Sequence, residues 1–194
     1  MKLGVFGGTF DPIHLGHLIL AEQAREQLGL DKVLFIPAGD PWRKSATDVS
    51  PAAHRLAMVR LAVADNPRFE VNDCEVVREG PSYTVDTLRL LRRDLTQTDE
   101  LYLILGEDAL ADMPNWHDPA GIAGEAKIAY AAREGVELPN SLPLPTWRLV
   151  RIEMPLIGIS STDLRERAKQ GQSLHYRVPA AVEAYIKAQG LYGE

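Results

Sequence analysis

The stretch Gly7-Gly8-Thr9-Phe10-Asp11-Pro12-Ile13-His14-Leu15-Gly16-His17 constrains this chain more than any other. Before it lies a short apolar run, Leu3 to Phe6, which reads as a buried β-strand. After it, Leu18 to Leu28 carries apolar residues at helical spacing, and Gly29 stands where a C-terminal cap belongs. Strand, glycine-rich turn and helix in that order is the arrangement with which α/β proteins hold phosphates.

Neither common phosphate-loop pattern is present. Gly7, Gly8 and Gly16 miss the G-x-G-x-x-G spacing, and no Gly-Lys-Ser/Thr follows. Two histidines, His14 and His17, stand at the start of the helix instead. Gly7 and Gly8 let backbone approach a ligand without a Cβ in the way. The helix N-terminus offers N–H groups and the positive end of its dipole. Two imidazoles there can donate hydrogen bonds to phosphate oxygens. A tight turn, a metal half-site and a capping pair are the alternatives; no cysteine or carboxylate cluster nearby completes a zinc site.

A chain of 194 residues makes one large domain or two very small ones, with length enough for a core. No apolar run approaches the roughly 20 residues of a membrane span. Met1-Lys2 leads straight into the first strand, without the pattern of a secretory signal. The lone cysteine, Cys74, allows no internal disulfide and fits a reducing, cytoplasmic setting. A net charge of −6 argues against nucleic acid as a partner. An anionic substrate must then be held by local cations and oriented backbone.

Taken whole, the eleven-residue string resembles the signature of the nucleotidyltransferase superfamily, which transfers AMP or CMP from a nucleoside triphosphate. In this form it is most similar to the bacterial nicotinate-mononucleotide adenylyltransferase family. The resemblance implies ATP contacts from Gly7, Gly8, Thr9, Phe10, His14 and His17.

Lys32 to Ile36 reads as a second strand, and Ala38 to Ser50 as a loop at the same sheet edge. The loop carries Trp42-Arg43-Lys44; these are either solvated or, as the resemblance implies, face the mononucleotide phosphate through Lys44. Arg43 stands where the family often has histidine. A helix over Ala52 to Ala64 follows Pro51, with Arg55 and Met58 in it. Phe69-Glu70-Val71 and Glu75-Val76-Val77 read as short extended pieces. Ser82, Thr84 and Asp86 are competent caps for a helix over Leu88 to Leu95. The same string, Ser82-Tyr83-Thr84, resembles the family's nicotinate-carboxylate site, where donors at a helix N-terminus suit an acid.

Leu101 to Leu105 is a continuous apolar run, the mark of a central parallel strand. Gly106 and Asp108 follow it, matching the family's nucleotide-contacting Gly-x-Asp. Trp116-His117 is either core or, by resemblance, the aromatic that stacks on the pyridine ring. Lys127 to Ala132 predicts a further strand leading to Arg133, a loop charge or a second phosphate ligand. Trp147 to Glu153 predicts a sixth. Last comes Ile159-Ser160-Ser161-Thr162-Asp163-Leu164-Arg165, opening a helix to Gln170. Ser160 and Ser161 are natural N-caps, whereas Arg165 has the wrong sign beside a helix N-terminus unless an anion sits between. The family's matching Ile-Ser-Ser-Thr-x-Leu-Arg contacts the triphosphate.

The expectation is a single α/β domain over residues 1–194, Rossmann-like and doubly wound, with a mostly parallel sheet and helices on both faces. It would move AMP from ATP to nicotinate mononucleotide, giving deamido-NAD and pyrophosphate. Mg²⁺ would accompany ATP, largely through water, with no protein metal site. The partners would be those two small molecules, without nucleic acid or membrane, and the oligomeric state stays open. The rivals are a phosphopantetheine adenylyltransferase-like enzyme and a non-catalytic nucleotide sensor of the same fold.

Overall fold

A computed structural model describes residues 1–39, 49–131 and 148–193. The elements run β1 (Lys2–Gly8), α1 (Leu15–Leu28), β2 (Lys32–Pro37), α2 (Ala52–Val63), β3 (Phe69–Val71), α3 (Thr84–Arg92) and β4 (Glu100–Leu105). They continue with α4 (Glu107–Asp112), a 3₁₀ turn (Met113–Asn115), α5 (Pro119–Glu125), β5 (Lys127–Ala131), β6 (Leu149–Ile152), α6 (Ser161–Lys169) and α7 (Ala180–Gln189).

The six strands form one sheet in the order β3-β2-β1-β4-β5-β6, and every neighbouring pair is parallel. This is a doubly wound α/β fold, as the sequence predicts. Its strand order reverses between β1 and β4, and a crevice opens outside the carboxyl ends of strands at such a point.

Successive strand residues serve opposite faces, which explains why the strands read as continuous apolar runs rather than alternating ones. On one face Phe6, Val33, Phe35, Tyr102, Ile104 and Ala129 pack with residues of α1, α2, α6 and α7. On the other, Leu3, Val5, Leu34, Ile36, Leu101, Leu103 and Ile128 pack with α3, α4 and α5. Helices therefore cover both faces.

Three boundaries differ from the sequence reading. Helix α1 begins at Leu15, three residues early, because His14 takes the N-cap position. Helix α3 begins at Thr84, so Ser82-Tyr83 stands immediately before it. The piece Glu75-Val76-Val77 is not extended. Asn72 Oδ1 accepts the Cys74 N–H at 2.9 Å, and the Val76 and Val77 N–H groups both return to the Asp73 carbonyl. An Asx-type turn has replaced the strand, and it carries Glu75 inward.

Candidate active site

A cavity of about 1130 Å³ lies at the carboxyl ends of β1 and β4, over the switch point. That volume suits a pair of nucleotide-sized substrates better than one small ligand. Its wall takes Gly7, Gly8, Thr9 and Phe10 from the end of β1, and His14 and His17 from the start of α1. Ser82, Tyr83 and Thr84 come from the entry to α3, Gly106 and Asp108 from the end of β4, and Trp116 and His117 from beyond the 3₁₀ turn. Ile159, Ser160 and Ser161 close it from the entry to α6. Sixteen residues singled out in the sequence thus meet at one concavity. Arg165 does not line it. Lys44 and Arg133, with Arg43, lie outside the described residues.

The histidines are held with little freedom. Their rings stack at 3.7 Å between centroids. The His14 backbone N–H donates to His17 Nδ1 at 3.2 Å, which assigns the proton of a neutral His17 ring to Nε2. Phe10 meets His17 edge-to-face at 5.1 Å and Phe6 at 5.5 Å. Phe10 is 2 % exposed and adopts a left-handed φ of 49°, unusual for a bulky residue. It supports His17 from beneath. Gly16 explains its own identity: a Cβ there would stand 3.1 Å from His14 Nδ1.

His14 is buried, and its Nδ1 meets no hydrogen-bond partner among the described residues. Burial pulls its pKa down to about 4 from 6.5. The folded protein therefore declines a proton that the unfolded chain accepts, so stability falls as pH drops through 6.5 toward 4. The loss reaches about 3 kcal/mol at full extent. Urea midpoints measured across that window should slope more steeply in the wild type than in His14→Gln. Equal slopes would show that His14 is not the group responsible.

Two helix N-termini face the cavity with different caps. At α6, Ser160 Oγ accepts the Asp163 N–H at 3.1 Å, an N-cap as predicted. Ser161 instead reaches back, donating from Oγ to the Pro12 carbonyl at 3.0 Å. Arg165 Nη1 donates to the Asp11 carbonyl at 2.8 Å, and Nη2 approaches Thr162 Oγ1 at 3.4 Å. Its guanidinium is thus tied to the signature turn, one turn into the helix, where the dipole penalty read from the sequence has largely faded.

At α3 no side chain caps the helix, so the capping reading of Ser82, Thr84 and Asp86 does not hold. Ser82 Oγ is buried beside the Glu75 carboxylate, whose pKa it pulls down. Beside this end Tyr83 stacks on His117 at 4.3 Å, and Trp116 Nε1 donates to Asp112 Oδ2 at 3.1 Å. Uncapped N–H groups flanked by aromatic surface suit a flat ring bearing an anionic group.

One residue of the wall, Glu75, and the contacts of Asp11, Tyr192 and Arg55 outside it escaped the sequence reading. Glu75 is 7 % exposed and accepts from Thr87 Oγ1 at 2.6 Å; burial pushes its carboxyl above the usual range, against opposing pulls from Thr87 and Arg78. Asp11 sits in the signature string, yet its partners are distant in sequence. Its Oδ2 accepts the Ser50 N–H at 3.0 Å, and its Oδ1 accepts the Tyr192 hydroxyl at 2.6 Å. Burial, then the bond to Asp11, raises the Tyr192 phenol. Arg55 had a readable signal: with Met58, Val59 and Ala62 it falls on the buried stripe of α2, where a charge is out of place.

The cytidylyltransferase-like family matches residues 5–167. A Roseiflexus protein named as a probable nicotinate-nucleotide adenylyltransferase is 51 % identical, covering 98 % of this chain and 97 % of its own. One of the same name from Thermus thermophilus is 50 % identical, covering 99 % and 100 %. Among solved structures, the nicotinic acid mononucleotide adenylyltransferase of Plasmodium falciparum complexed with NaAD superposes with a TM-score of 0.80 over 98 % of this chain and 97 % of its own. At 18 % identity that likeness speaks for the fold. With a family match across most of the chain and close relatives over its whole length, the chain belongs to the cytidylyltransferase-like family and, within it, to the nicotinate-nucleotide adenylyltransferases.

Proposed function

We propose that the protein transfers AMP from ATP to nicotinate mononucleotide, yielding deamido-NAD and pyrophosphate in NAD biosynthesis. The observation that carries this reading is the pairing, in one cavity, of a stacked histidine couple at one helix start with an uncapped, aromatic-flanked helix start at another. The first suits a triphosphate and the second a nicotinate ring. Relatives 46–51 % identical that carry the corresponding name support it.

In this reading an oxygen of the mononucleotide phosphate attacks the α-phosphorus of ATP, and the bond from that phosphorus to the bridging oxygen of pyrophosphate breaks. The nucleophile is already an anion, so no general base is needed. Acceleration comes from alignment and from donors aimed at the charge that develops. His14, His17, Gly7, Gly8, Thr9 and Phe10 form the ATP side with Gly106, Asp108, Ile159, Ser160, Ser161 and Arg165. Ser82, Tyr83, Thr84, Trp116 and His117 form the mononucleotide side, together with Lys44 and Arg133. Among the described residues no three His, Cys, Asp or Glu side chains gather as a metal cage. Mg²⁺ would come with the triphosphate, keeping its own water, and would supply charge neutralisation there, while the histidines and helix N-termini hold the phosphates. No described helix is long and apolar enough to cross a membrane, and the free thiol of Cys74 accords with a cytoplasmic enzyme.

The test is pyrophosphate release with ATP and three acceptors: nicotinate mononucleotide, its amide, and phosphopantetheine. Donors aimed at a carboxylate gain a charge-assisted bond that the amide lacks, about 1–3 kcal/mol. The acid should then exceed the amide at least tenfold in kcat/KM, roughly the lower end of that range. Equal values would remove the acid-specific assignment. ATP binding with no turnover on any acceptor would favour a sensor.

A further inference from the structure

Among the described residues Arg55 is the largest fully buried side chain, 1 % exposed, and it has no role in the reading above. Its guanidinium donates three hydrogen bonds of 2.9 Å, from Nε to the Ser50 carbonyl, Nη1 to the Thr9 carbonyl and Nη2 to the Gly39 carbonyl. Those acceptors belong to three separate pieces of chain. Thr9 is in the signature turn and lines the cavity; Gly39 follows the cavity-lining Ala38; Ser50 leads into α2. Gly39 and Ser50 stand on either side of residues 40–48.

One further hydrogen bond and one close packing contact fix the same junction. The Ser50 N–H goes to Asp11, which is 2 % exposed and also takes the Tyr192 hydroxyl. Gly39 approaches the Glu75 carbonyl so closely that a Cβ would come within 2.0 Å of its oxygen. Taking a guanidinium out of water costs several kcal/mol, and a leucine or methionine would fill the same helix face without that penalty. What an apolar side chain cannot do is hold three carbonyls in a fixed plane.

We infer that Arg55 is a positioning residue for the transfer reaction: it ties Ser50 and Gly39, which packs on the Glu75 carbonyl beside α3, to Thr9, so that the α3 side and the signature-turn side of the cavity keep one spacing. The inference rests on the proposed function. In-line attack requires the reacting atoms to be held about 3–3.5 Å apart, and a misplacement of about 1 Å can cost a hundredfold in rate. Either substrate alone would hardly sense such a shift.

The experiment compares wild type with Arg55→Lys, which keeps the charge and loses the planar fork. Melting temperatures are measured first, and pyrophosphate release is then followed at saturating ATP and nicotinate mononucleotide, well below both transitions. The expected result is a kcat lower by at least about tenfold, while the Kd for ATP alone moves less than about threefold. A lower melting temperature with kcat within about twofold of wild type means a structural role only, and overturns the inference. If Arg55→Lys does not fold, Tyr192→Phe decides. It frees one Asp11 oxygen of its partner and should lower kcat at least about threefold, and an unchanged kcat overturns the inference. Wild type that releases no pyrophosphate overturns the proposed reaction and the positioning role with it, an outcome distinct from equal kcat in two active enzymes.

Discussion

Replacing His17 by alanine is expected to lower kcat by about a hundredfold or more while leaving the affinity for ATP much less affected. The ring is fixed on three sides: by the His14 N–H on Nδ1, by the stacked His14 ring, and by Phe10 beneath. A donor held so firmly need not reorganise when charge builds on the α-phosphate, which is the condition under which electrostatic stabilisation is largest. The loose binding of triphosphate oxygens before reaction demands less alignment, so the ground state should lose less. Single-turnover measurements at saturating ATP separate the two. A raised KM for ATP with kcat unchanged would assign His17 to binding alone.

Arg165→Ala is expected to weaken ATP binding by about 1.5–3 kcal/mol, the range for a hydrogen bond to a charged group. Its effect on the free protein differs from what helix electrostatics alone suggests. From the sequence, Arg165 is a misfit at a helix start, and removing it should leave melting unchanged or raise it slightly. The bond from Nη1 to the Asp11 carbonyl reverses that sign. Losing it should cost about 1 kcal/mol and lower the melting temperature by about 2–4 °C. Melting curves with and without ATP and Mg²⁺ provide both readings. A variant that loses stability without nucleotide, yet gains the same increment from ATP as wild type, would leave Arg165 a structural tie and remove it from the site.

Much of the catalytic architecture was legible locally. The strand, glycine turn and histidine pair lie within one short stretch, where spacing alone dictates which groups share a helix start. The strands were legible because burial on both faces leaves no polar residue to break the run, as in Leu101 to Leu105. Ser160 announced its capping role for the same local reason, a hydroxyl three residues before the N–H it accepts. Local reasoning failed where side chains had two local uses. Ser82, Thr84 and Asp86 are as competent to cap as to bind, and only the start of α3 at Thr84 shows that none of them caps. Glu75 looked extended because Val76 and Val77 favour strands, and the Asn72 side chain overrode that preference.

The parallel sheet and the phosphate-holding turn are thus readable from local pattern, and the sixteen residues that meet in the cavity from that pattern together with the family resemblance. What holds that turn in place emerges from contacts between distant parts of the chain. Asp11 joins Tyr192 across 181 positions, Arg165 joins Asp11 across 154, and Ser161 joins Pro12 across 149. Spacing carries no information at such separations, because the chain between is free to bring almost any pair together. What selects these partners is the need of buried carbonyls and a buried carboxylate to be hydrogen-bonded, and that need exists only once packing has taken water away.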